Sequence, residues 1–421
     1  MSDTARVANG PHVLRGMNRA ALLAALRRAE GAASVSELAA LTSLSRPAVT
    51  RSVDDLVELG LVERRRSRAE GAPGRPAQRV RFRSELGCVV GVQVGAHEVH
   101  AQLADLAGEP RAEVRLATAA TAADVLETVL TAVRTLRRSD ASATGVWAVG
   151  IGSPGVVDVS TGRIRTAPNI PGWSAVPVTE RVAAEVGCPV LIDNDVNLAA
   201  LAERAVGVAR GVDTFAFVHW DEQVGAGIVI DGVPYRGATM AAGELGFVDV
   251  FRDPAATHDD GPLAPEGSPG AFERRVSTMA VAQVARALAV HDPLVAAELA
   301  VAPGGAASGD GSVDALGALL RAGAAGSADA AEAAERVVHW FCAGVSALVL
   351  VLDPGTVVLG GRATRVGEPL VGAVAAELAR STLDPPRVLL SQLGGSAVAT
   401  GAVRLALTAV ERRLESTVAT A

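Results

Sequence analysis

At 421 residues the chain exceeds one ordinary domain, so two or three domains are expected. Hydrophobic residues make up 49% and aromatic residues 3%, which predicts a large core built from Ala, Val and Leu. The three cysteines are too far apart for a disulfide or metal pattern, no apolar run is long and charge-free enough to span a bilayer, and no signal peptide opens the chain. These absences predict a cytoplasmic protein with no membrane contact.

Charge is unevenly distributed along the chain. Residues 1–85 hold 15 Arg against 9 Asp and Glu, a charge of +6, so the total of −7 leaves −13 for residues 86–421. A basic head on an acidic body is typical of a DNA-binding module joined to a domain that does not bind DNA.

The head has the pattern of a helix-turn-helix. We expect a tail over residues 1–16, a supporting helix over 17–30, and a short helix capped by Ser36. Ser45 is predicted to cap the next helix, with Pro47 in its first turn and Gly60 just past its end. In that helix three apolar residues fall at i, i+4 and i+7 and should face inward: Val49, Val53 and Leu56.

A basic wing follows the second helix. Residues 61–65 and 80–83 are predicted as two strands of a hairpin within a head spanning residues 17–84. Gly74-Arg75-Pro76 holds an arginine extended between two backbone-restricting residues, a shape suited to a minor groove. The predicted DNA contacts are Ser45, Arg46, Thr50, Arg51 and Arg75. The alternatives are a three-helix module that contacts a protein and, for the tripeptide, a solvated loop.

The body alternates strands and helices. Strands are expected over 88–95, 98–106, 145–151 and 190–192 and a helix over 122–136, and the alternation resumes over 214–230 and 337–361. This pattern predicts an α/β fold with buried sheets and ligands at the carboxyl ends of the strands.

Ordered motifs in the body identify a family resemblance. They are GIGSPGVVD at 150–158, APNIPGW at 167–173, IDNDVN at 192–197, VGAGIV at 224–229, AGELG at 242–246 and LGG at 359–361. This body resembles the ROK family of repressors and sugar kinases, and the head, with LRGMNR at 14–19, looks like that of the family's repressors. The resemblance implies an actin-like (ribonuclease H-like), two-lobed ATPase-type fold over residues 87–421. Its first lobe would cover 87–200 and its second 201–400, with a C-terminal helix over 401–421 whose return to the first lobe is one option.

Candidate effector-binding residues lie in these motifs. Asn194 and Asp195 follow a strand and place an amide and a carboxylate at a cleft mouth, where they could hold two sugar hydroxyls. The alternative is an Asx-turn that caps a helix over 196–203. The resemblance implies sugar contacts for Asn194, Asp195, Glu244 and Glu273, while Asn169 would lie at the cleft edge. Glu273 could instead be an acid at a helix N-terminus.

Departures from the kinase pattern are equally informative. The loop expected to hold ATP phosphates reads Gln93-Val94-Gly95-Ala96-His97, and the second phosphate loop contains Asp221-Glu222, whose carboxylates would repel a triphosphate. Phe247 replaces the family's usual histidine, and residues 249–270 contain no cysteine, so no zinc or other metal is expected. We therefore predict no catalytic residues and no cofactor.

The combined prediction is a non-catalytic DNA-binding transcriptional regulator, a repressor of carbohydrate-related genes. It would sense a sugar or sugar derivative and bind a palindromic operator in double-stranded DNA as a homodimer or homotetramer. The alternatives are a sugar kinase with an appended DNA-binding head and a ligand-independent DNA-binding dimer.

Overall fold

The computed structural model describes residues 11–29, 31–66, 78–95, 97–118, 121–139, 145–249, 269–302 and 314–420. The head consists of three helices and a three-stranded sheet of order β1-β3-β2. Its elements are α1 (Pro11–Arg28), β1 (Ala33–Ser34), α2 (Val35–Thr42), α3 (Arg46–Glu58), β2 (Val62–Arg66) and β3 (Gln78–Phe82). The prediction of a tail up to residue 16 is wrong for residues 11–16, which form the first part of α1.

Capping residues set the helix ends of the head. Ser34, not Ser36, caps α2, because Ser34 and Glu37 form a reciprocal capping box. Ser45 caps α3 as predicted, and Gly60 follows that helix with φ +72°. The antiparallel pairing of β2 with β3 forms the wing, while the loop between them, including Arg75, lies outside the described residues.

The first lobe is a five-stranded sheet of order β10-β7-β4-β5-β6 with helices against it. The parallel neighbours β4, β7 and β10 bring their carboxyl ends to one edge. Its elements are β4 (Cys88–Val94), β5 (Glu98–Asp105), β6 (Pro110–Ala117), α4 (Ala122–Ser139), β7 (Val146–Ser153), β8 (Val156–Asp158), β9 (Arg163–Thr166), α5 (Val178–Val186), β10 (Val190–Asn194) and α6 (Asp195–Val206).

The second lobe repeats the plan with a sheet of order β13-β12-β11-β14-β15. Its elements are β11 (Phe215–Trp220), β12 (Val224–Ile230), β13 (Val233–Tyr235), α7 (Glu273–Val276), α8 (Thr278–Ala289), α9 (Pro293–Val301), α10 (Ala315–Ala324), α11 (Ala328–Leu352), β14 (Thr356–Gly360), α12 (Glu368–Ser381) and β15 (Arg387–Leu390). The chain ends in α13 (Ala397–Thr420). By length and composition α11 could cross a membrane, contrary to the sequence expectation, but one side of it packs in the core of this lobe.

Helix α13 joins the head to the first lobe. It packs against β4 and β7 of the first sheet, against α6, and against α1 of the head. One hydrophobic cluster contains residues of the head, of the first sheet and of α13, among them Leu22 and Leu26 of α1 and Leu407 and Val410 of α13. The head is therefore packed on the body through a shared core.

Candidate functional site

The outward face of α3 presents the predicted DNA contacts. Val49, Val53 and Leu56 are buried as expected, whereas Ser45, Arg46, Thr50 and Arg51 are exposed. The Ser45 hydroxyl accepts a hydrogen bond from the backbone N–H of Ala48 (3.4 Å), and the Thr50 hydroxyl donates to the carbonyl of Arg46 (3.0 Å). Within the described part of the chain, the guanidinium groups of Arg46 and Arg51 have no partner, so both are available to a polyanion.

Several other arginines of the head are already paired. Arg79 bonds Glu37 at 2.9 Å, Arg64 pairs with Asp54, and Arg81 bonds both Glu63 and Glu85. The basic charge that faces outward without an internal partner is thus concentrated on α3, in the portion of the head that the structure describes.

An ion pair that sequence reasoning missed fixes α3 in the head. Asp55 of α3 is buried, and its carboxylate accepts from Arg15 and from the nearly buried Arg19 (3.5 Å), both on α1. Hydrogen bonding from Arg15 and the charges of both arginines hold the Asp55 pKa below its ordinary value, although partial burial acts in the opposite direction. These contacts link α3 to α1 within the head.

The predicted effector residues all line one cleft between the lobes. The cavity has a volume of about 460 Å³, and its wall includes Asn169, Asn194, Asp195, Glu244 and Glu273. Phe247, at 42% exposure, also lines it. A cavity of this size accommodates a small polar ligand.

Asn194, which lines the cleft, also stabilises the start of α6. It caps α6, its Oδ1 accepting from the backbone N–H groups of Val196 (2.9 Å) and Asn197 (3.1 Å), while its Nδ2 donates to the carbonyl of Gly155 (2.9 Å). The capping interpretation thus describes its present hydrogen bonds, and the side chain also bonds the neighbouring Asp195 carboxyl, so a ligand would compete with these partners.

The cleft brings carboxyl groups together in a poorly solvated place. Burial, with a smaller contribution from the nearby Glu244, raises the pKa of Asp195 to about 7 against the opposing backbone hydrogen bond from Val196. Burial and the neighbouring Glu273 raise the pKa of Glu244 as well. At neutral pH Asp195 is therefore partly protonated and can either donate a hydrogen bond to a hydroxyl group or accept one from it.

Glu273 begins α7, but it bonds outside that helix. Its Oε1 accepts from the backbone N–H of Val224 (2.9 Å) and its Oε2 from that of Gly270 (3.0 Å). Glu273 therefore links β12 to the residues that precede α7. Both of its carboxylate oxygens already accept backbone hydrogen bonds at the point where it lines the cleft. Asn169, in contrast, has no hydrogen-bond partner among the described residues.

An arginine occupies the region of the second phosphate loop. Arg362 bonds Asp221 through Nε (3.0 Å) and Glu222 through Nη2 (2.8 Å), and its backbone N–H donates to the second oxygen of Asp221 (3.1 Å). Across the cleft, His97 of the first lobe lies 3.6 Å from Glu222. Sequence reasoning identified the two carboxylates but not Arg362, because 140 residues separate it from Glu222.

Comparisons with known proteins agree with this architecture. A family model described as ROK family matches residues 89–409, and one described as MarR family matches residues 16–71. The chain is 25% identical to the xylose repressor of Caldicellulosiruptor bescii over 345 residues, 80% of each protein. It is 30% identical over 382 residues to a transcriptional regulator of Mycobacterium bovis, covering 89% of this chain and 82% of that protein.

Two solved structures share the fold. A ROK family transcriptional regulator, a homologue of the E. coli MLC protein, superimposes with a TM-score of 0.74 at 19% identity, over 97% of this chain and 99% of that chain. A ROK family glucokinase from Streptomyces griseus, in complex with glucose and AMPPNP, gives 0.63 at 27% identity, over 76% of this chain and all of that chain.

Proposed function

The chain belongs to the ROK family, and we propose on that basis that it is a DNA-binding transcriptional regulator whose body senses a small carbohydrate without turning it over. The observation that carries the proposal is the combination of an exposed basic face on α3 with a polar cleft between two lobes. The mycobacterial relative, named a transcriptional regulator, and the relative named a xylose repressor support the same assignment. A regulator of this kind acts on cytoplasmic DNA.

The head would read the operator through α3 and the wing. We assign base-edge or phosphate contacts to Ser45, Arg46, Thr50, Arg51 and Arg75, with α3 in the major groove. A homodimer or homotetramer would pair two heads on a palindromic operator, with half-sites about one helical turn apart or a multiple of it.

The cleft would bind the effector. Carboxyl and amide groups at the carboxyl end of β10 and near Glu244 can form hydrogen bonds with the hydroxyl groups of a sugar. The apolar ring of Phe247 can pack against the C–H groups of the same sugar. We assign Asn194, Asp195, Glu244, Glu273 and Asn169 to this role. The role of Glu273 is chiefly to fix the position of the neighbouring cleft backbone, because its oxygens already accept hydrogen bonds from Val224 and Gly270.

Phosphoryl transfer is disfavoured by the groups at the phosphate loops. Such transfer depends on backbone donors and a metal-bound triphosphate that are positioned before reaction. Here Gln93 offers an amide where the kinases have a metal-binding acid, and Arg362 spans Asp221 and Glu222. Asp195 would therefore contact a hydroxyl without a phosphoryl donor beside it.

A continuous helical route could connect the cleft to the head. Helix α6 begins at Asp195 in the cleft and crosses α13 so closely that a Cβ on Gly401 would lie 1.9 Å from the carbonyl oxygen of Leu198. At its other end α13 packs on α1, where Arg27 bonds Glu411 at 3.0 Å. Effector binding would shift α6, α13 and then the heads, with a coupling free energy of about 1–3 kcal/mol.

The test is selection of DNA fragments by the full chain with and without cell metabolites, followed by calorimetry against a sugar panel. We expect a palindromic fragment to be enriched and one sugar to release it, with binding of that sugar abolished in Asp195→Ala. Sugar binding that is unchanged by this substitution would remove the cleft assignment. Consumption of ATP with any panel sugar would instead favour the kinase alternative.

A further inference from the structure

A buried ion pair lies beside the effector residues and joins the two lobes. Asp193, the residue before Asn194 on β10, has a side chain only 2% exposed. Its Oδ2 accepts from both Nε (3.0 Å) and Nη2 (2.5 Å) of Arg236, which follows β13 in the second lobe. The contact is two-pronged from the guanidinium, a geometry that restricts orientation as well as distance.

Each partner also organises its own side of the cleft. The other oxygen of Asp193, Oδ1, accepts from the backbone N–H of Asn194 (2.8 Å) and from the side-chain amide of Asn197 (3.5 Å). Asp193 thus fixes the turn that presents Asn194 and Asp195. In the described part of the chain, every oxygen of this carboxylate has a donor.

Arg236 forms further hydrogen bonds on the second-lobe side of the cleft. Its Nη1 donates to the carbonyl of Pro234 (3.2 Å), and its own carbonyl accepts from the backbone N–H of Ala242 (3.1 Å). The latter bond closes the loop 236–242, which leads directly into Gly243 and Glu244 of the cleft. Gly243 has φ +90° and leaves a Cβ no room, since one would lie 1.8 Å from the carbonyl oxygen of Ala226. Gly243 is therefore held against β12 immediately before Glu244, where its carbonyl also accepts from the backbone N–H of Ala226 (2.7 Å).

We infer that Arg236 is a positioning residue for the effector, which sets the spacing between the Asn194–Asp195 turn and Glu244 through its bond to Asp193. The inference rests on the proposed effector function of the cleft. Arg236 itself needs no contact with the effector, because it acts by holding two segments that do. Loss of its charge would leave a buried carboxylate without its cationic partner and would free the two segments to separate.

The experiment compares Arg236→Gln with the matched control Arg165→Gln. Arg165 on β9 also joins the lobes, since its Nη1 donates to the carbonyl of Thr239 (2.9 Å), but it is exposed and holds no carboxylate. Two properties of the full chain are measured: hydrogen exchange of peptides covering 190–206 and 236–246, and calorimetric titration with D-xylose and D-glucose.

We expect Arg236→Gln to raise exchange in both peptides and to weaken binding of the sugar that the wild type binds by tenfold or more. Arg165→Gln should leave the exchange of peptide 190–206 and the sugar affinity within about twofold of wild type, because its bond to Thr239 involves only the 236–246 segment. Arg236→Lys, which keeps the charge but loses the fork, should recover part of the affinity. The double variant Asp193→Asn/Arg236→Gln, which leaves no unpaired charge, should fold even where the single variant does not and should still bind the sugar weakly.

The outcomes separate the two claims. If the wild type binds neither sugar, the effector assignment fails for those sugars, and the exchange measurement alone decides the role of Arg236. If Arg236→Gln and Arg165→Gln behave alike in exchange, or if Arg236→Gln binds sugar as tightly as wild type, the positioning role is overturned.

Discussion

Replacing Gly401 with alanine tests the close crossing of α13 and α6. Within a helix this replacement normally stabilises a protein by about 0.5–1 kcal/mol, because glycine loses more backbone entropy on folding. Here the new Cβ would lie 1.9 Å from the carbonyl oxygen and 2.5 Å from the carbonyl carbon of Leu198. Favourable contacts between carbon atoms lie at about 3.5–4.0 Å, so the helices would have to separate by roughly 1–1.5 Å. Overpacking of this kind costs about 1–3 kcal/mol.

The net expectation for Gly401→Ala is a destabilisation of about 1–2 kcal/mol, together with a weaker effect of sugar on DNA binding. Gly372→Ala is the matched control, because Gly372 is likewise the fifth residue of its helix, α12, and a Cβ there meets open space. Urea unfolding followed by circular dichroism measures both variants. The control should be neutral or stabilised. Stabilisation of Gly401→Ala to the same extent would refute the tight crossing and the route through α6.

Three further predictions concern single side chains. Arg51→Ala should weaken operator binding by about 1–3 kcal/mol in a fluorescence anisotropy titration, and Arg138→Ala, at an exposed site on α4, should leave it unchanged. Asp55→Asn should destabilise the head by about 2 kcal/mol, less than the usual cost of breaking a buried pair because Arg15 is 57% exposed. Since the pKa of Asp55 is lowered on folding, its contribution to the free energy of unfolding is present at neutral pH and is lost as pH falls through the acidic range. If the free energy of unfolding of wild type and of Asp55→Asn fell equally steeply with decreasing pH, this interpretation would be contradicted. The Asp195 carboxyl has its pKa raised to about 7 on folding, so its contribution to stability should decline as pH rises from about 4 to about 7, and the melting temperature of Asp195→Asn relative to wild type should increase over that range.

Local signals allowed most elements of the head to be predicted. Ser45, Pro47 and Gly60 act within their own helix, so their effect can be inferred from neighbouring residues alone. The misplaced cap of α2 was also a local matter: Ser34 and Glu37 have the spacing of a capping box, which Ser36 lacks. The body's alternation of strands and helices similarly predicted an α/β architecture, and the motifs predicted which residues would meet at the cleft.

Long-range contacts could not be predicted in this way. The bonds of Arg362 to Asp221 and of Arg236 to Asp193 join segments that only the packed sheets bring together. Residues of the head share a core with α13, although nearly the whole body lies between them in sequence. Nor does hydropathy alone distinguish α11, a core helix of the second lobe, from a membrane span, because both are long and apolar.

The most direct measurement is the operator affinity of the full chain at fixed moderate salt, with and without the sugar that calorimetry identifies, in wild type and Asp195→Ala. Wild type should bind the operator tightly and lose about 5–150-fold in affinity when sugar is added, while Asp195→Ala should bind the operator equally well and ignore the sugar. A wild-type protein that does not bind DNA under these conditions, or whose operator affinity no sugar changes, would contradict the account.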